Sequence, residues 1–246
     1  MTPDIPPDPD DLDAVVRRAD PDRWLASRFV SDRQRRDDLV SLYAFNDELA
    51  RIAPAVSNPL MGEIRLAWWR EALDEISVGG RLRRHPVVEA LAGVAQRGRL
   101  QMTALYGMIE ARTGDLDAEP FADAVGLYTY LDATAGALMA LASGILGATD
   151  PQVAAAGRAW GVAGLARSHW LTGAANRLPP NWTAADVSAA VDSLLMTSRR
   201  EVKDLPVSAF PAVAYATLAR PYARRRELSD LGKRSRLVWA TARGSI

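Results

Sequence analysis

The chain has 246 residues, 30 basic and 30 acidic side chains, no cysteine and two histidines. That length can bury an ample core. Without cysteine there is no disulfide scaffold, thiolate metal site or cysteine nucleophile, and two histidines exclude a His-rich metal centre. A net charge of zero argues against nucleic acid as a partner.

Residues 1–10 hold four Pro and three Asp and read as a disordered leader. They contain no apolar stretch of the kind a signal peptide needs. Residues 11–246 read as one helical domain. Asp20-Pro21-Asp22 suits a helix start before Trp24, Leu25 and Phe29, and Ser31 or Asp32 suits the next, through Leu39, Tyr43, Phe45 and Leu49. Pro54 and Asn58-Pro59 end it. A third helix, through Ile64, Trp68, Leu73 and Ile76, stops at Gly79-Gly80, and His85-Pro86 opens a fourth. Further helices are expected at about 99–112, 120–147, 151–173, 183–203, 209–228 and 231–242. No segment alternates like a strand, so the fold class is all-α. The longest uncharged run, 133–149, is shorter than the roughly 20 residues of a membrane span, and reads as a buried central helix.

Two stretches early in the chain, 42-LYAFNDELARIA-53 and 65-RLAWWREALDEI-76, resemble the squalene and phytoene synthase family. His85-Pro86-Val87, 128-YTYLDATAGALM-139 and 161-GVAGLARSHWLTGAANRLPP-180 extend the resemblance in the same order, over about residues 20–245. It implies a helical bundle of isoprenoid-synthase type around a central cavity. The synthases of that family join two prenyl diphosphates head to head. Carboxylates one helical turn apart hold the Mg²⁺ ions that stabilise departing pyrophosphate.

Laid on this chain, the family's first Asp cluster falls on 47-DELARIAP-54, with Ala50, Arg51 and Pro54 at its three Asp positions. The second falls on 167-RSHWLT-172, where Arg167 matches but Ser168 and Thr172 replace Asp. Neither Ala nor a cationic side chain binds Mg²⁺, and a hydroxyl is a weak substitute for a carboxylate. The resemblance therefore points to the family's non-catalytic branch, which includes the mitochondrial assembly factor of respiratory complex I. Both 44-AFNDELA-50 and 206-PVSAFPA-212 match that branch. With no mitochondrial presequence, a bacterial member is expected.

The expected function is non-catalytic assembly of a complex I-like membrane enzyme, with a respiratory subunit as partner. No cofactor is expected. The alternatives are an active head-to-head prenyl transferase, which would need Mg²⁺, or a protein that holds a prenyl or other lipid in the cavity. The residues expected at that cavity are Tyr43, Asp47, Glu48, Arg51, Trp68, Arg167 and His169. Asp47 and Glu48 should lie on different helix faces, about 100° apart. Of the adjacent Trp68 and Trp69, one should face the core and the other an edge.

Charge is uneven along the chain. Residues 1–22 carry seven Asp and two Arg, and residues 220–243 carry eight basic residues against Glu227 and Asp230. Arg224, Arg225, Arg226, Lys233 and Arg234 are expected to form a surface for an anionic membrane or a partner. A solvated helix face explains the same charges, but the resembled assembly factor acts at a membrane, so the protein is expected in the cytoplasm, peripheral on the inner face of the cytoplasmic membrane. Residues 206–212 should form a joint, with Pro211 in the first turn of a helix and Phe210 buried.

Overall fold

Short polar side chains start most of the helices by accepting a backbone N–H that has no partner inside the helix. Asp11 does this for α1 (Leu12–Ala19), Asp20 for α2 (Pro21–Ser27) and Asp32 for α3 (Arg33–Ala50). Asn58 caps α4 (Pro59–Val78), His85 caps α5 (Pro86–Gln96) and Asp123 caps α7 (Ala124–Leu131). Between these two lies α6 (Met102–Ala111). After α8 (Ala137–Ile145) and α9 (Ala154–Thr172), Thr183 and Asp186 form a reciprocal capping box on α10 (Ala184–Glu201). Short helices α11 (Pro211–Ala214) and α12 (Ala219–Ala223) precede α13 (Asp230–Arg243), capped by Ser229. Gly79, Gly173 and Gly244 end α4, α9 and α13 in the left-handed conformation that glycine adopts without strain.

This computed structural model describes residue 8 and residues 10–246, and among them there is no strand. Apart from Asp8 and Asp10, the expected leader lies outside the described residues.

Two apolar clusters form the core. One joins α3, α4, α5, α6 and α8 through Leu42, Phe45, Leu73, Leu91 and Met108. The other gathers α9, α10 and the C-terminal helices around Val162, Val191, Val213, Tyr215 and Leu237. Leu205 packs against both. Small residues make α9 central: Ala155, Ala156, Gly157, Ala159, Ala163 and Ala166 are all buried. They let α10, α12 and the turn before α8 approach closely.

α1 precedes the helix start read at Asp20 and packs on α3. Two expectations need correction. The helix expected over 120–147 starts only at Ala124 and widens into a π-helical turn, Asp132–Gly136. The helical run 124–145 is long and apolar enough to cross a membrane by length and composition. Here its Leu127, Leu131, Leu138 and Leu141 are buried in the core. The continuous helix expected over 209–228 is instead α11, a 3₁₀ turn at Tyr215–Leu218 and α12. Pro211 and Pro221 lack the N–H that a longer helix would need.

The joint at 206–212 forms as expected. Val207–Ala209 is a 3₁₀ turn, Pro211 occupies the first turn of α11, and Phe210 is 1% exposed.

Candidate functional site

The segment 44-AFNDELA-50 forms the last two turns of α3. Ala44, Phe45 and Leu49 are buried and anchor it. Its polar residues look the other way, into a charged interior and an open trough.

The interior side begins at Asn46, whose Oδ1 accepts a hydrogen bond from Arg112 at 3.2 Å. Arg112 also donates to Asp115 at 3.0 Å and to the Tyr130 hydroxyl at 3.2 Å, and Arg177 ion-pairs with Asp115. Nearby, Arg23 pairs with Asp20, its guanidinium 5.0 Å from the Tyr215 ring and 5.5 Å from that of Trp160. Tyr43 is buried, and among the described residues its hydroxyl has no hydrogen-bond partner. Burial holds the Tyr43 and Tyr215 phenols above their ordinary range.

The trough is open. One stretch, of about 490 Å³, runs between α1 and α3 past Leu12, Val15, Asp47 and Glu48 to His85. A second, of about 500 Å³, continues past Arg51, Ile52, Arg65, Trp68 and Trp69. Glu48, Arg51 and His85 line both, so the two stretches form one groove.

In the middle of the groove, Arg51 collects both neighbouring carboxylates. Its Nε lies 2.9 Å from Asp47, and its other arm pairs with Glu48. Asp47 and Glu48 were expected on separate faces. The long, forked arginine, three and four residues on, reaches both. Burial raises Asp47 above the usual carboxylate range, and Arg51 pulls it back only in part.

Trp69 is the buried member of its pair, while Trp68 walls the groove. Arg83 fixes Trp68 from outside, lying 4.6 Å over its ring and donating to its carbonyl at 3.0 Å. Glu75 holds Arg83 in turn, and those hydrogen bonds keep Glu75 below the ordinary carboxylate range. His85 packs edge-on to both Trp rings while its Nδ1 accepts the Val87 N–H at 3.3 Å.

The remaining expected site residues lie elsewhere. Arg167 makes a bidentate pair with Glu227, both contacts 2.7 Å, and covers the Tyr222 ring. His169 is bonded through Nδ1 to the Ala174 carbonyl at 2.8 Å, where α9 ends. The Thr172 hydroxyl donates to the Ser168 carbonyl within the helix. Neither Arg167 nor His169 lines the groove. The structure instead adds His85, Arg65 and the α1 wall. Trp68-Trp69 and His85-Pro86 were visible signals, but only tertiary packing brings α1 against α3.

The C-terminal basic set also needs correction. Lys233 is not a surface residue: its side chain is 12% exposed and ion-pairs at 2.8 Å with the buried Asp22. Asp22 also accepts from the Tyr222 hydroxyl at 2.7 Å, and this buried acid draws the lysine inward. Arg224 pairs with Asp192 at 2.8 Å, and Arg225 lies 4.3 Å over the Trp170 ring. Arg226 and Arg234 are exposed.

The residues do not fit a magnesium cluster. Ala50, Arg51, Pro54, Ser168 and Thr172 offer no carboxylate, and Arg51 occupies the two that remain nearby. Among the described residues, no group of three or more His, Asp or Glu is placed to hold a metal.

Comparison with known proteins gives a consistent picture. Residues 16–243 match the family model described as squalene/phytoene synthase. A bovine (Bos taurus) relative named NADH dehydrogenase (ubiquinone) complex I, assembly factor 6 is 25% identical over 244 residues, covering 88% of this chain and 73% of its own. The rat (Rattus norvegicus) protein of that name is 29% identical over 137 residues, covering 55% of this chain and 40% of its own. Among solved structures, squalene synthase HpnC from Alicyclobacillus acidocaldarius superposes with a TM-score of 0.69 at 19% identity, covering 95% of this chain and 92% of its own. A dehydrosqualene synthase in complex with ligand gives 0.78 at 13% identity, covering 94% of each chain. At those identities the two structures establish the fold.

Proposed function

This chain belongs to the squalene/phytoene synthase family, and from that premise we propose that it is a non-catalytic member that helps assemble a membrane respiratory complex of the NADH dehydrogenase type. It would act from the inner face of the cytoplasmic membrane, beside a subunit of that complex, and without a metal cofactor.

One observation carries the reading. The resemblance puts Arg51 at a family Asp position, and its guanidinium ties up Asp47 and Glu48. Mg²⁺ needs oxygen ligands free to face it, with charge to spare. A fixed cation at that point repels the ion and consumes its ligands. On α9 the resemblance puts Ser168 and Thr172 at the family's Asp positions, and the Thr172 hydroxyl donates to the Ser168 backbone carbonyl within the helix. The relatives named as complex I assembly factor 6 support the positive half of the reading.

The test is turnover. Purified protein is incubated with farnesyl or geranylgeranyl diphosphate and Mg²⁺, and pyrophosphate is measured. Release at the level of a protein-free blank is expected. Release above the blank and abolished by a chelator would establish a prenyl transferase instead.

A further inference from the structure

The outward face of α13 is apolar and uncovered. Leu231 is 75% exposed, Val238 50% and Trp239 58%. Leu231 and Val238 are seven residues apart and share that face, two turns along the helix. Leu237 and Ala240, on the opposite side, are buried and hold the helix on the core.

Arginines flank the apolar face. Arg234 is exposed along one edge. Along the other, Arg236 and Arg243 open into a groove of about 580 Å³ beside Trp239. The ionisable side chains lining this groove are Arg199, Arg220, Arg236 and Arg243, with no Asp or Glu among them, and the terminal carboxylate of Ile246 lies beside Arg199. Arg220 is matched by Asp192 at 2.6 Å, and Arg199 by the terminal carboxylate of Ile246 at 2.5 Å. Arg243 lies 4.2 Å over the Trp239 ring, and among the described residues neither it nor Arg236 has an ion-pair partner. In a chain with equal numbers of acids and bases, this is a local excess of positive charge.

We propose that this face of α13, with its arginine groove, docks on a bilayer that displays anionic phospholipid. Leu231, Val238 and Trp239 would enter the boundary between headgroups and acyl chains, where tryptophan is at home. Arg236 and Arg243 would meet lipid phosphates, with Arg234 on the far edge. A protein partner with an acidic surface could match the arginines but leaves the exposed apolar row without an assigned cover. The proposal adds a surface to the membrane placement above and rests on that placement only for its setting. Vesicle binding by purified protein tests the surface, whereas complex assembly in cells tests the function.

The experiment measures binding of the full chain to vesicles of 70% phosphatidylcholine and 30% phosphatidylglycerol, and to pure phosphatidylcholine. Binding to the anionic vesicles alone is expected, weakening sharply as salt shortens the screening length. Arg236→Gln with Arg243→Gln should weaken it about 30-fold, the equivalent of about 1 kcal/mol per arginine near the surface. Val238→Ser with Trp239→Ser should weaken it at least tenfold. Arg224, Arg225 and Arg226, all changed to Gln, should cost less than either pair. Thermal melts matching the parent would establish that the variants fold, as expected for exposed positions. The proposal is overturned by equal binding to neutral vesicles, or by anionic binding that survives both pairs. It is also overturned if inorganic pyrophosphate displaces the vesicles while Val238→Ser with Trp239→Ser binds like the parent, which would make the groove a soluble-anion site.

Discussion

At the scale of single residues, the stretches 44–50 and 206–212, which carry the resemblance to the assembly-factor branch, are structural as well as diagnostic. Asn46 holds Arg112, and Phe210 plugs the joint between α10 and α11. Phe210→Ala should lower stability by about 3–5 kcal/mol, the range for emptying a buried Phe site. Ser208→Ala should change it little, since the Ser208 hydroxyl makes only a 3.4 Å contact with the Leu146 carbonyl. Equilibrium denaturation of the two variants checks this, and a Phe210→Ala protein as stable as the parent would remove Phe210 from the core. The burial of Phe210 was legible because Pro206 and Pro211 fix the chain on both sides of it. The pairing of Asp47 and Glu48 through one arginine was not, because helical angles give where side chains start but not how far they bend. Lys233 was misread for a related reason: its partner, Asp22, lies more than 200 residues earlier in the chain.

At the scale of elements, α9 tests whether close helix packing holds the fold together. A Cβ on Gly157 would lie 2.6 Å from the Gly136 Cα and 2.9 Å from its nitrogen, both backbone atoms that cannot swing aside. Gly157→Ala should therefore destabilise the protein by about 1–3 kcal/mol, the usual cost of overpacking. A Cβ on Gly164, in the same helix, meets nothing within 4 Å. Gly164→Ala should stabilise by about 0.5–1 kcal/mol through helix propensity alone. Chemical denaturation of the pair reads the difference directly, and equal effects would contradict the close approach of α9 to the π turn. The helices themselves were legible from caps and breakers such as Asp20, Asn58-Pro59 and Gly79. The π turn was not, because it arises where Gly136 must fit against Gly157, and that neighbour is distant in sequence. The broken 211–223 region shows the same limit, since apolar periodicity continues through prolines that the backbone cannot ignore.

At the scale of the whole molecule, the tyrosines report on the interior. All six are held above their ordinary value near 10, burial being the largest cause for each. Tyr130, for example, is pushed up to about 12, with Asp115 adding to the effect and Arg112 opposing it. The folded state thus holds the phenolic protons more tightly than the unfolded chain. Their contribution to stability should be complete below about pH 10 and lost as pH climbs toward 12. Phenolate absorbance and helical circular dichroism, followed together, should change in one step above pH 10. Six phenols ionising near pH 10 with the helices intact would contradict the buried interior.

The interior and the groove together describe a squalene/phytoene synthase-family fold in which Arg51 pairs with both Asp47 and Glu48. On the function we propose, this fold serves assembly rather than prenyl transfer. The most direct measurement is the amount of assembled NADH dehydrogenase complex in membranes of cells lacking this chain, read on native gels. We predict a severalfold loss, restored by the parent protein. An unchanged amount of the complex, together with a loss of a squalene- or phytoene-like product, would contradict the account.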